Sequence, residues 1–230
     1  MINRTPTIIF LAILAMIGAC TPAPIQETLL FGYRDGKKQM RYETSIVAEK
    51  LEDGERGYQL KTHINFSLGV KETMESIRTA WLRGDFSVDH VEVTRTYNGK
   101  LITSKVYWEG ESLVIKKKEG DAPEIVNKLA VSGIIFSDLH PLLYSNDLKK
   151  PGDEKIYQVL HESKLAIRKL TIKYVGNPVM DINGERTATM HFQLEKISEL
   201  GSFEDYYLDP KTREPVKIDA GVAQFLPPKK

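Results

Sequence analysis

The chain holds few residues whose type and spacing could do chemistry, and the sharpest of them is a thiol. Cys20 is the only cysteine among 230 residues, which excludes a disulfide framework and a multi-cysteine metal site. It ends an apolar run, Ile8 to Ala19, with Gly18 and Ala19 directly before it. A thiol placed there is a nucleophile for S-alkylation, and small residues upstream let a peptidase reach the backbone. The five histidines, His63, His90, His140, His161 and His191, are scattered. His161-Glu162 begins like a zinc-protease helix, but Leu165 stands where the second histidine must be. Asp181-Ile182-Asn183-Gly184 starts like a calcium loop and lacks the remaining ligands, so it reads as a hairpin turn. No Gly-x-Ser-x-Gly elbow or glycine-rich phosphate loop occurs. The sequence therefore reads as a non-enzyme, with no catalytic residue, no cofactor and no metal.

The segment before Cys20 explains why a thiol would be placed there. Arg4 is the only charged side chain in residues 1–19. A positive start, a short apolar stretch and small residues before a cleavage point describe a secretory signal. The twelve-residue run from Ile8 to Ala19 falls short of the about 20 residues that a bilayer-spanning helix needs. Ile17-Gly18-Ala19-Cys20 resembles the lipobox of bacterial lipoproteins. That resemblance implies cleavage between Ala19 and Cys20, a diacylglyceryl thioether on Cys20, and acylation (palmitate or similar) of the new amino terminus. Two or three acyl chains anchor stably, since each buried CH₂ contributes about 0.8 kcal/mol. Thr21, where an aspartate tends to retain such proteins in the inner membrane, points to the outer membrane, facing the periplasm. The expected location is the bacterial cell envelope, with the membrane as partner through lipid on Cys20.

Charge narrows the remaining partners. The whole chain has 32 basic and 31 acidic side chains, and loss of Arg4 with the signal leaves 31 of each. Nothing basic enough for nucleic acid remains. Lys116-Lys117-Lys118 is offset by Glu119 and Asp121 and reads as a solvated strand end. The organisation expected is a signal peptide at 1–19, a proline-bearing lipidated tether at 20–27, one domain at 28–220 and a flexible tail at 221–230.

The elements of that domain follow from period-2 patterning. Met40, Tyr42, Thr44, Ile46 and Ala48 share one strand face, and Tyr58 to Phe66 alternates the same way. Asp35-Gly36, Asn98-Gly99 and Asn183-Gly184 are two-residue hairpin signals, and Glu109-Gly110 marks a further turn. Segment 71–82 is ambiguous: Met74, Ile77 and Trp81 suit a helix, and the neighbouring strands favour a strand. Asp121 is positioned to cap a short helix carrying Ile125, Val126 and Leu129. Ser137 or Asp138 is positioned to cap a second, through Tyr144, with Pro141 in its first turn. Leu165 and Ile167 fall on the opposite face from Leu170, Ile172 and Tyr174, which predicts a bulge near Arg168-Lys169. Residues 186–197 read as one strand with Ala188, Met190, Phe192 and Leu194 inward. The fold class expected is mainly β: a single strongly curved antiparallel sheet or incomplete barrel of about ten strands, with one or two short inserted helices.

The ending Phe203-Glu204-Asp205-Tyr206-Tyr207-Leu208-Asp209-Pro210-Lys211-Thr212-Arg213-Glu214-Pro215-Val216-Lys217-Ile218 and the segment Asp138-Leu139-His140-Pro141-Leu142-Leu143-Tyr144 resemble bacterial envelope domains. These are the lipoprotein carriers LolA and LolB and related periplasmic domains of unknown function. The resemblance implies a curved sheet closed by helices and carries no functional residue across. Trp81, Trp108, Phe136, Tyr144, Phe192 and Tyr207 are the ligand-pocket candidates, with ordinary core filling as the competing account. The function expected is a membrane-anchored module that binds an apolar or lipid-like ligand in the sheet concavity, with residues 121–145 as lid. The alternative is a structural accessory that docks an envelope protein complex and has no ligand cavity.

Overall fold

The structure, a computed structural model, describes residues 24–228 apart from 35, 69–71, 137–139, 162–163, 197–202 and 222. Ala19, Cys20 and the rest of the signal segment lie outside the described residues. Seven long strands come first: β1 (Gln26–Arg34), β2 (Lys37–Lys50), β3 (Arg56–Leu68), β4 (Glu72–Arg83), β5 (Val88–Tyr97), β6 (Lys100–Glu109) and β7 (Ser112–Glu119). Two short strands, β8 (Ile125–Ala130) and β9 (Ile135–Phe136), lead into helix α1 (Pro141–Asp147). Then come β10 (Glu154–His161) and β11 (Ala166–Gly176), followed by a small hairpin of β12 (Val179–Ile182) and β13 (Glu185–Ala188). The chain finishes with β14 (Met190–Lys196), β15 (Phe203–Leu208), β16 (Pro215–Ala220) and β17 (Ala223–Leu226).

Among the described residues, fifteen strands make one sheet in the order β8-β7-β6-β5-β4-β3-β2-β1-β17-β16-β15-β14-β11-β10-β9. Local turn chemistry drives the meander. Asn98 and Gly99 both hold positive φ, 49° and 79°, and join Tyr97 to Lys100 as a two-residue turn. Asn183 and Gly184 do the same between β12 and β13. Such turns match the right-handed twist of the flanking strands. Gly57 serves a different need, because a Cβ there would lie 2.2 Å from the Leu82 carbonyl oxygen of β4. The two ends of the strip come back to each other. Asn127 of β8 donates to the Leu165 carbonyl beyond β10 (2.8 Å), and Gln158 of β10 donates to the Ser132 carbonyl (2.9 Å). Ser87 forms a bridge with Phe136. The result is a curved, open sheet rolled towards a barrel.

Several expectations are corrected. The main sheet has fifteen strands rather than about ten, because short segments such as β8, β9 and β17 carry too little pattern to count. Residues 125–130 are a strand and not a helix. Ile125 and Val126 are both exposed and pair with Lys117 and Lys116 of β7; an available sheet edge outweighs a three-residue apolar stripe. Helix α1 is present, but His140 caps it and it runs on to Asp147; Ser137 and Asp138 lie outside the described residues. Segment 72–83 is a strand, as its neighbours require. The sheet is in register through Arg168 and Lys169, and the irregularity falls between Tyr174 and Gly176. The phase change there belongs to a pair of strands. Tyr157 opposite Leu170 packs into one core cluster, and Leu160 opposite Ile167 packs into the other. Residues 186–197 break at Thr189, whose hydroxyl donates to the Pro178 carbonyl, and Ala188 is exposed. Strand β1 begins inside the segment read as tether, and β17 lies inside the segment read as tail.

Two apolar clusters hold the roll together. The first is built on β2–β7 around Ile46, Leu60, Val91 and Ile115, with Ile135 and Leu160 arriving from the far end of the strip. The second packs Leu143, Tyr144 and Leu148 of the α1 region onto Tyr157, Ile172, Phe192 and Leu208.

Candidate functional site

Directly opposed residues on antiparallel strands point to the same face, so the register sorts the inner face of β1–β7 into rows. The first row runs Ile46, Leu60, Ala80, Val91, Val106, Ile115. None is more than 2 % exposed. This row is the solid floor of the roll. Two residues along each strand, about 7 Å away, the same face changes character. The second row reads Thr28, Thr44, Thr62, Arg78, Val93, Ser104, Lys117. The third reads Leu30, Tyr42, Ile64, Ser76, Arg95, Ile102.

The polar members of these rows are shielded. Thr28, Thr44, Thr62, Ser76 and Ser104 are all buried, and Arg78, Arg95 and Lys117 are half-buried. The Thr28 and Thr44 hydroxyls and the Gln26 Oε1, which flanks the floor row opposite Ile46, have no hydrogen-bond partner. An orphaned buried polar group costs roughly 1–3 kcal/mol. Three such groups in one patch, beside inward-facing cations, make a surface that stabilises the fold poorly and suits a polar guest.

The six aromatic candidates separate into three groups. Phe136, Tyr144 and Phe192 come together in the second core cluster. Tyr144 and Phe192 lie 5.1 Å apart, and Tyr174 stacks on Phe192 at 4.6 Å. Tyr144 and Phe192 are fully buried, and Phe136 is 7 % exposed, so these three fill a core. Trp108 packs at the edge of the first cluster and donates from Nε1 to the Val88 carbonyl. Trp81 and Tyr207 lie on the opposite face, each stacked on a histidine: Trp81 on His90 at 4.1 Å and Tyr207 on His191 at 4.5 Å.

The histidines have structural partners. His63 sits between Glu43 (3.3 Å) and Glu75 (3.0 Å) on the outer face, beside a groove of about 520 Å³ lined by Glu27, Leu29, Glu43 and Lys61. The Arg41 guanidinium beside Glu43 holds that carboxyl below its ordinary range. His191 lies 2.7 Å from Asp205. No group of three or more potential metal ligands occurs among the described residues. His140 is buried, accepts a hydrogen bond from the Leu142 amide as the cap of α1, and is pushed down to about 4 by burial. Burial works against the charged form of Asp147, and hydrogen bonds from Lys155 and Tyr157 outweigh it, so its carboxyl is lowered.

No family model matches the chain, and no curated protein matches it. Among solved structures, it is similar to a β-barrel-like protein of the domain of unknown function DUF1849 from Brucella abortus. That likeness has a TM-score of 0.54 at 9 % identity, over 88 % of this chain and 95 % of that one. The fold is β-barrel-like. A DUF1089 family protein from Pseudomonas aeruginosa overlays at a TM-score of 0.41 and 11 % identity, over 78 % of this chain and 90 % of that one. The first likeness agrees with the expected kinship of fold to curved β-domains of unknown function; it transfers no ligand and no residue.

The polar rows were missed in the sequence, although one signal was present. Once segment 72–83 is a strand, Met74, Ser76, Arg78, Ala80 and Leu82 share a face. Arg78 then sits in apolar phase with Ala80 and Leu82, both fully buried. A charged residue in the inward phase of a strand marks a functional position more sharply than an aromatic does.

Proposed function

We propose that the chain is an envelope lipoprotein, lipid-anchored through Cys20 in the outer membrane, whose β-domain binds a lipid-like ligand at the inner face of the curved sheet. The observation that carries this is the polar patch above the apolar floor, where Gln26, Thr28 and Thr44 hold buried oxygens without partners. A fold that had only to be solid would fill those positions with valine and leucine. The ligand enters the part of the roll away from Phe136, Tyr144 and Phe192, whose positions are already filled. Native mass spectrometry of a form lacking residues 1–20 tests this. A co-purifying lipid is the expected result; a clean apo mass with no uptake of added lipid counts against it. The anchor has its own test: cells fed labelled fatty acid label the chain, and Cys20→Ser abolishes labelling.

A docking role for an envelope complex is the second reading. It draws on Ile77, Leu101, Ile125 and Val126, each about half exposed on β4, β6 and β8. Cross-linking in cells through these positions distinguishes it from ligand carriage.

A further inference from the structure

We infer that the inner patch takes a neutral, hydroxyl-bearing headgroup, with Gln26, Thr28 and Thr44 as its recognising residues; this rests on the lipid-binding reading above and names the polar end of that ligand. The three side chains come from two neighbouring strands. Thr28 of β1 lies directly opposite Thr44 of β2, and Gln26 lies opposite Ile46. Directly opposed side chains start about 5 Å apart, and Gln26 is two residues from Thr28 along β1, about 7 Å. One small group therefore reaches all three. Gln26 is 5 % exposed, and Thr28 and Thr44 are each 7 % exposed. The Gln26 Oε1 and both hydroxyls have no hydrogen-bond partner.

The chemistry follows from what this set lacks. The Gln26 amide is oriented by its other end. Its Nε2 donates to the Thr212 carbonyl (3.1 Å), an oxygen that can only accept, so the orphan is Oε1, which can itself only accept. A guest must bring a donor to it. A carboxylate or a phosphodiester has none to give. An ammonium has donors but adds a charge to a shielded patch, in the same row as Arg78, which already interacts with other groups of the protein. A hydroxyl both donates and accepts, as the two threonines do. Apolar side chains flank the patch along the strands: Ile46 and Leu60 in the floor row, and Leu30, Tyr42 and Ile64 in the row beyond. Hydroxyls set between apolar rows match a glycerol-type headgroup carrying an acyl chain better than a free polyol.

The test uses the full-length chain in nanodiscs of phosphatidylcholine. A photoreactive monoacylglycerol and the photoreactive methyl ester of the same fatty acid, both uncharged, are each titrated as a mole fraction of bilayer lipid. Adducts on peptides carrying Tyr42 or Ile64 are quantified by mass spectrometry. The monoacylglycerol is expected to reach half-maximal labelling at a mole fraction about tenfold lower than the ester, which has no donor for Gln26. Thr44→Val and Gln26→Leu should each shrink that difference, and Thr44→Ser should retain it. Equal labelling by the two probes overturns the headgroup assignment and leaves lipid binding standing. No inner-face adduct from either probe overturns both. Labelling by the photoreactive fatty acid carboxylate at the same mole fraction as the monoacylglycerol overturns the requirement for a neutral donor. Loss of labelling when glycerol is added at the concentration of the probe overturns the amphiphile and indicates a soluble polyol. The comparison of probes needs no variant, so a poorly folded Gln26→Leu does not weaken it.

Discussion

Two surfaces share the inner face of the same strands. Ile46, Leu60, Ala80, Val91, Val106 and Ile115 form a row with almost no exposure, while Thr28, Thr44, Thr62, Arg78 and Ser104 form the next row but carry polar groups. The backbone is the same ladder in both, and the strands are the same length of chain apart. The difference lies in what each row does with burial. The floor gains about 25 cal/mol for every Å² of apolar surface removed from water. The polar row removes hydroxyls from water and leaves two of them unanswered. Stability is concentrated in the first row, and the second is retained at a cost, which is the pattern expected of a site rather than a core.

The largest expected effect breaks the floor. Leu60→Ala removes a side chain that is 2 % exposed and packed in the first cluster. Truncations of this kind cost about 2–5 kcal/mol, depending on how far the surroundings collapse. Urea unfolding should show the midpoint fall by a corresponding amount with an unchanged slope. Phe192→Ala in the second cluster belongs to the same class, at about 3–5 kcal/mol. A Leu60→Ala chain that unfolds like the parent would show that the floor is not solid, and a Phe192→Ala chain that does so would show the same of the second cluster.

An intermediate effect concerns a buried polar group that does have a partner. His140 caps α1 through the Leu142 amide, and burial lowers its titration from 6.5 to about 4. The folded chain favours the neutral ring, and the unfolded chain binds the proton more readily. Stability is therefore full above pH 6.5 and is lost as the pH falls from there towards about 4. The loss reaches at most about 3 kcal/mol. Thermal melts across that range should show it. His140→Asn keeps a capping acceptor and removes the titration, so its pH profile should be flatter than the parent's. A parent profile as flat as the variant's would show that the ring is not held neutral.

How far the sequence announces this arrangement depends on the length of each signal. The long strands β2 and β3 carry four or more inward residues each, readable from Met40 to Ile46 and from Tyr58 to Phe66, and the shorter β14 shows a clean alternation from Met190 to Leu194. The turns at Asn98-Gly99 and Asn183-Gly184 were readable because only a few residue types accept positive φ. β8 was not, since Ile125, Val126 and Leu129 fit a helical stripe as well as they fit a strand, and the deciding partner β7 is set by tertiary pairing. β17 was not, because four residues without alternation gain their order from β1 and β16. The candidate site is hidden for a different reason. Aromatics suit a pocket wall and a core equally well, and Phe136, Tyr144 and Phe192 pack into a core cluster. Thr44 shares the face of Ile46 in the alternation of β2, but only the ladder sets Thr28, Thr62 and Arg78 beside it in one row.

The smallest expected effect is the sharpest probe of the comparison. Thr44→Val keeps the volume and shape of the side chain and deletes a hydroxyl that is buried and has no partner. If Thr44 were part of the core, this change would relieve an unsatisfied group and nothing else. Removing it should then raise stability by up to about 1 kcal/mol, the opposite sign to Leu60→Ala in the neighbouring row of the same interior. The same substitution should weaken uptake of added lipid in native mass spectrometry, because a buried donor to the proposed ligand is lost. Stability and binding moving in opposite directions is what separates a site from a core. A Thr44→Val chain that is less stable than the parent would mean that the hydroxyl supports the fold, and the division of the inner face into floor and site would have to be redrawn.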